Sequence, residues 1–224
     1  MMKVRIILLC AVLLLTGCSV VRLDNQDLYE IITMIISEDT NISNTHFNGY
    51  RYYLPRTMRL MNRDEFNMTL LDKHNNRYFM YVDLISFYHN VIRDFEENEE
   101  AYFSRMLISG DRFGYLEINK YQGRYFIEAM FNYAKIEVLV SREHLSHAVA
   151  NIFAILNSID FNRVILASVV GDNILDYNEE AFDIFATRRR GSGNENFLRY
   201  IDEFDYFESN SVRFQSEDSI QIDQ

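Results

Sequence analysis

The stretch from Phe113 to Val140 constrains the fold more than any other part of the chain. Within it, Tyr125, Ile127, Ala129, Phe131 and Tyr133 alternate with Phe126, Glu128, Met130 and Asn132. A period of two puts the first set on one face of a strand and the second set on the other, so one face is apolar and the other mixed. An antiparallel sheet with one packed face and one uneven face is the arrangement such a strand needs. Gln122-Gly123 separates it from a preceding strand over Phe113 to Ile118, and Ile136 to Val140 continues as a third.

Upstream, the aromatic run Tyr50 to Leu54 stops at Pro55, which suits a strand end or a sheet edge. Phe66–Leu71 and Tyr78–Ser86 flank Asp72-Lys73-His74-Asn75-Asn76-Arg77, whose asparagine pair tolerates positive φ, and this predicts a β-hairpin. Tyr78 to Val82 is apolar on both faces and reads as a central strand. Leu28, Ile31, Ile32, Ile35 and Ile36 recur at helical spacing, with Asp24 or Asn25 as the cap and Asp27 in the first turn. Ala101 to Ile108 predicts another helix, closed by Gly110. The strongest helix starts after Ser141 and runs to about Ser158, carrying the stripe Leu145, Ala148, Val149, Ile152, Leu156 and Ile159. Val164 to Val170 reads as a last strand, with a short helix left open because periodicity does not separate the two.

These elements predict an α+β domain over residues 18–172, an antiparallel sheet of about six strands flanked by helices. Fifteen tyrosines and 17 phenylalanines agree with a sheet, since aromatic side chains suit a pleated, half-buried surface. Residues 173–208 read as a helical extension, with pieces at Asn178–Ala186 and Glu195–Phe207 joined through Arg188-Arg189-Arg190-Gly191-Ser192-Gly193. Residues 209–224 are polar and without period, as in a disordered acidic tail; the arginine run reads as paired locally with the eight acids between Glu195 and Asp223, a phosphate being the alternative partner.

The N-terminus carries an address. Lys3 and Arg5 precede a run from Ile6 to Leu15 without a polar side chain, the layout of an export signal. The run is too short to span a bilayer, which takes about 20 residues. A non-cleaved anchor or an ordinary secretory signal is the alternative reading. Leu15-Thr16-Gly17-Cys18, closing such a signal, resembles the lipobox of bacterial lipoproteins. The resemblance implies a signal peptide over residues 1–17, cleavage before Cys18, and acylation of its thiol with diacylglycerol, palmitate being a typical chain. It also implies a lipid-anchored protein on the extracytoplasmic face of the cell membrane. The other cysteine, Cys10, leaves with the signal, so the mature domain has no disulfide and no free thiol, which excludes cysteine nucleophiles and thiolate metal sites. Loss of Lys3 and Arg5 takes the formal charge from −11 to −13, a balance that repels phosphate backbones, and nucleic acid is not expected as a partner.

The order of elements, from the aromatic-Leu54-Pro55 edge through a hairpin to a closing helix ending Ile155-Leu156-Asn157-Ser158-Ile159, resembles the PsbP-like α/β/α sandwich. That fold occurs in photosystem extrinsic subunits and small bacterial lipoproteins. The resemblance covers Tyr50 to about Ile159 and implies no family-wide catalytic residue.

Few residues suggest chemistry. Of His46, His74, His89, His144 and His147, only the last two are close; two imidazoles one turn apart, lacking a nearby third ligand, make a poor zinc site and are expected to face solvent. Asp94, Glu96, Glu97, Glu99 and Glu100 lack the ligand spacing and turn glycine of a calcium loop and read as a solvated loop leading into the helix at Ala101. No nucleophile elbow, phosphate loop or dinucleotide fingerprint occurs. No catalytic residue, metal or cofactor is therefore assigned. The expected function is a non-enzymatic binding or accessory module of the cell envelope. Its partners are the bilayer, through acylated Cys18, and an envelope protein, through the mixed sheet face at Tyr81, Phe126 and Met130 if helices leave that face open. The alternative is an envelope hydrolase using carboxylates of the acidic loop, which requires a concave site with a perturbed acid.

Overall fold

The computed structural model describes residues 27–38, 42–64, 67–170 and 185–187. The expectations for the export signal, Cys18, the arginine run and the acidic tail lie outside these residues, as does nearly all of the extension over 173–208.

Two tight turns organise the sheet. β7 (Arg112–Tyr121), β8 (Arg124–Phe131) and β9 (Ala134–Val140) follow one another through Gln122-Gly123 and Asn132-Tyr133. All four turn residues have positive φ, at 46° and 79° and at 50° and 59°, the geometry whose twist matches that of the flanking strands. Such turns leave no slack in the register, so Glu117 stands opposite Glu128 and Glu128 opposite Glu137. β6 (Phe103–Ser109) pairs with β7, and β5 (Arg77–Val82) pairs with β9. β4 (Asn67–Asp72) and β3 (Met58–Asp64) complete the order β3-β4-β5-β9-β8-β7-β6, antiparallel throughout. A separate three-stranded antiparallel sheet joins β1 (Thr45–His46), β2 (Tyr50–Tyr52) and β10 (Asp160–Phe161). The fold is α+β, with sheets of seven and three strands among the described residues where about six strands were expected.

Two helices cover one face of the large sheet. α1 (Leu28–Ser37) begins at Asp27, not Asp24 or Asn25, because the Asp27 carboxylate accepts from the Tyr29 amide at 3.0 Å. α2 (Leu84–His89) interrupts the strand expected to run to Ser86: Asp83 accepts from the Ser86 amide at 2.9 Å and starts a helix there. α3 (Leu145–Asn157) follows a 3-10 turn at Arg142–His144, and the Ser141 hydroxyl lies near Glu143 and His144 rather than capping the helix backbone. Its apolar stripe and Ile32 and Ile36 of α1 meet Leu116, Ile118, Ile127, Ala129, Ile136 and Val138 in one core. At the far end Asn157 of α3 donates to the carbonyls of Ile35 and Glu38, satisfying the end of α1. α4 (Arg163–Val170) settles the open choice in favour of a helix, since Asn162 accepts from the amides of Val164 and Ile165.

One expectation fails outright. Ala101 to Ile108 is not a helix but the edge strand β6, turned back on β7 at Gly110 (φ 64°). Phe103 and Leu107 enter the core while Ile108 stays exposed, a partition that the spacing of the apolar residues mimics at helical period. After Pro55 the chain turns and re-enters the sheet as β3 at Met58, the turn being closed by the Met58 amide on the Pro55 carbonyl at 2.9 Å.

Candidate functional site

The alternation of β7, β8 and β9 that buries one set of side chains under α1 and α3 necessarily turns another set to the second face. There Glu117, Glu128 and Glu137 form a row across three strands, with Lys135 beside them, and all four are fully buried. Lys135 Nζ lies 2.9 Å from Glu128 Oε1 and 2.7 Å from Glu137 Oε1. Burial works against its charge, but the two carboxylates outweigh burial and hold the ammonium above the usual lysine range. Glu117 is served separately, accepting from the side-chain amides of Asn98 and Asn119 at 3.1 Å each.

Among the described residues, this face is closed by chain that is neither helix nor strand. The irregular run from Val91 to Asn98 lays Phe95 flat against Tyr115, ring centres 4.5 Å apart and planes 3° from parallel. Residues 185–187 lie over Met130, and Phe185, Met130 and Tyr115 form one buried cluster with Tyr81, Phe95 and Phe113 at its edge. Two side chains of the sheet grip that segment by its backbone. The Tyr115 hydroxyl donates to the Phe185 carbonyl at 2.8 Å, and Lys135 Nζ donates to the Ala186 carbonyl at 2.7 Å. Burial pushes the Tyr115 phenol up, so it stays a donor at any ordinary pH. Arg93, held by Asp83 at 2.9 Å, places its guanidinium 5.2 Å from the centre of the Phe185 ring.

The structure therefore brings Tyr81 and Met130 to this cluster, with Met130 buried and Tyr81 half-buried. Phe126 sits apart, buried with Tyr121 and Leu139. The acidic loop does not lead into a helix; Glu97 accepts from Arg105 and from the Met106 amide of β6, lying along that edge strand. His144 is partly buried and stacks on His74 at 4.1 Å, joining the β4–β5 turn to the start of α3. Among the described residues, no group of three His, Cys, Asp or Glu is arranged to hold a metal ion. A cleft of about 450 Å³ opens elsewhere, where Arg51 pairs with Asp160 at 2.7 Å and Arg112 donates to Asn157. The acidic loop contributes nothing to its lining.

No family model matches this chain, and no curated protein sequence matches it. Among solved structures, a crystal structure from Bacteroides thetaiotaomicron VPI-5482 is similar at 7% identity, over 50% of this chain and 45% of that one, with a TM-score of 0.31. A likeness of that size carries no argument about fold or function.

The ionic row escaped the sequence reading, although its signal is there. Glu117 and Glu128 lie equally far from the Gln122-Gly123 turn, and Glu128 and Glu137 equally far from Asn132-Tyr133. Recognising the second turn would have placed three carboxylates in one line and Lys135 beside it. The grip on residues 185 and 186 had no local signal, because it joins positions 51 and 70 residues apart.

Proposed function

We propose that this chain is a membrane-anchored extracytoplasmic lipoprotein, tethered through acylated Cys18, and that its α+β domain is a non-enzymatic binding or accessory module of the cell envelope. One observation carries the binding part: side-chain donors on the second sheet face hold two successive main-chain carbonyls, at Phe185 and Ala186. Recognition of polypeptide backbone by a rigid sheet is what a protein-binding module does. Lys135, locked between Glu128 and Glu137 in its ammonium form, is a poor nucleophile or proton shuttle and a good fixed donor. The address rests on the sequence Leu15-Thr16-Gly17-Cys18 and the charged, apolar stretch before it. A diacyl anchor contributes about 0.8 kcal/mol per buried methylene, so two chains suffice for stable attachment. No helix among the described residues is long and apolar enough to cross a membrane.

The test is intact-mass analysis of envelope-extracted protein with crosslinked partners, comparing the natural chain with Cys18→Ala. A lipid mass on the natural chain, together with a crosslinked partner that is lost in the variant, supports the proposal. An unmodified Cys18 refutes the anchor, and a lipidated chain that crosslinks to nothing counts against the binding role.

A further inference from the structure

We infer that the second face of the seven-stranded sheet is a receptor for a polypeptide segment carrying an aromatic residue and held by its backbone carbonyls, and that Phe185 and Ala186 occupy it as a competing segment of the same chain. The inference rests on the binding-module reading and adds the class of partner to it.

The site is built rather than incidental. Tyr115, Met130 and Lys135 stand in one register row across β7, β8 and β9. Tyr115 and Lys135 thus rise from backbones about 10 Å apart, two strand spacings, and converge on adjacent carbonyls with Met130 as the floor between them. Main-chain carbonyls are offered by any polypeptide, so these two bonds give affinity without regard to sequence. Selection comes from the ring pocket. Phe185 is 8% exposed, packed in the Tyr115–Met130 cluster and faced by the Arg93 guanidinium. An aromatic ring fills that space and uses the cation, whereas an aliphatic side chain does only the first.

The occupant belongs to the same chain, which governs what a partner experiences. A tethered segment acts at an effective concentration in the millimolar range, so a free peptide of equal intrinsic affinity binds only in proportion to the open fraction. Weakening the internal segment should therefore unmask the site, and weakening the donors should close it again.

The probe is a fluorophore-labelled peptide with the sequence of residues 183–188, titrated by anisotropy against the full chain. Phe185→Ala in the chain is expected to tighten peptide binding by about ten-fold over the natural chain, the worth of some 1.4 kcal/mol lost by the internal competitor. Adding Lys135→Met should abolish that gain. Adding Tyr115→Phe, which keeps the ring and its packing, should reduce it several-fold, and it serves as the readout should Lys135→Met fail to fold. The same peptide with Phe185→Ala should bind neither chain. A cooperatively melting Phe185→Ala chain that binds no tighter than the natural one overturns the inference, and so does equal binding of the two peptides. The anchor is read separately, by the mass at Cys18. A lipidated chain that fails the peptide titration refutes the receptor and leaves the anchored address intact.

Discussion

Replacing Lys135 with methionine tests whether the second face is held by charge. Methionine keeps an unbranched apolar stem of similar length and removes only the ammonium. What remains is a pair of buried carboxylates, Glu128 and Glu137, with Glu117 in the same row. Breaking a buried ion pair by deleting one partner costs about 3–5 kcal/mol, because the surviving charge stays desolvated. In a domain of this size each kcal/mol lowers the melting temperature by about 2–4 °C, so the loss should be roughly 6–20 °C. Thermal and urea unfolding followed by far-UV circular dichroism measure it, since the chain has no tryptophan to report. The pH dependence supplies a second signature. In the variant, burial and mutual repulsion raise the folded pKa values of the two glutamates above their unfolded value of about 4.3. The folded state then binds more protons than the unfolded one, so the deficit is largest at neutral pH and shrinks as pH falls through the raised values. Converting Glu128 and Glu137 to leucine alongside Lys135→Met should recover most of the lost stability, because a packed apolar layer replaces the pair without stranded charge. A single variant within about 1 kcal/mol of the natural chain, with no pH dependence of the difference, would refute this reasoning.

Other perturbations probe the rest of the fold. Burial raises the phenols of Tyr50, Tyr52, Tyr78 and Tyr115, Tyr52 to about 12, with the Asp72 carboxylate adding to the effect at Tyr78. Their contribution to stability is complete below about pH 10, where unfolded tyrosines begin to ionise. It falls by about 1.4 kcal/mol per pH unit for each ring from there up to its own raised value; phenolate absorbance should show Tyr50, Tyr78 and Tyr115 titrating only as the chain unfolds, and their ionisation in an intact fold would contradict it. Gly114→Ala drives a Cβ into the carbonyl of Met130 on the paired strand and should cost about 3 kcal/mol or more. Gly110→Ala, with open space but φ 64°, should cost about 1 kcal/mol, and equal urea midpoints for the two variants would argue against the close approach of β7 and β8. Asp72→Ala strands the amides of His74 and Asn76, the Asn76 side chain and the Tyr78 hydroxyl, and should lose about 2–4 kcal/mol, with faster amide exchange in the β4–β5 turn.

The elements legible in the sequence were those whose polarity follows a single period. β7, β8 and β9 show it, and so do α1 and α3, because each packs one face on one core. β6 was misread because an edge strand buries only some of its inward positions, and the exposed Tyr102, Met106 and Ile108 filled in a helical spacing that means nothing there. α2 was missed because Asp83 ends the strand through a cap, and a lone aspartate in an apolar run reads as an interruption. On the second face, Tyr81 and Met130 were in reach because they alternate on predicted strands. Glu117, Lys135 and Glu137 needed the register, which depended on seeing that Asn132-Tyr133 forms a turn with a tyrosine at φ 59°, an unusual conformation for an aromatic residue. That residue is supported from outside its own hairpin, by Phe87, Phe113 and the Asp83 amide on its carbonyl.

The charged row does more for specificity than for stability. An apolar layer would hold the second face as well or better, as the first face demonstrates. What charge adds is the exclusion of alternatives. A one-residue slip of β8 would carry Glu128 from the second face into the layer packed under α3, where Ile127 and Ala129 now lie among Ile136 and Val138, and away from Lys135. Register is thereby fixed on both faces at once, by burial on one and by charge on the other. The same row fixes the two donors: Lys135 is immobilised between Glu128 and Glu137, and Tyr115 is held flat by Phe95. A ligand meeting such donors spends little ordering them, so the bonds to two carbonyls retain most of their strength. Loosening the row should therefore weaken peptide binding even in variants that keep both donors. Glu137→Gln, which leaves Lys135 one carboxylate and more freedom, should bind the peptide less tightly in the Phe185→Ala chain while Tyr115 and Lys135 remain in place.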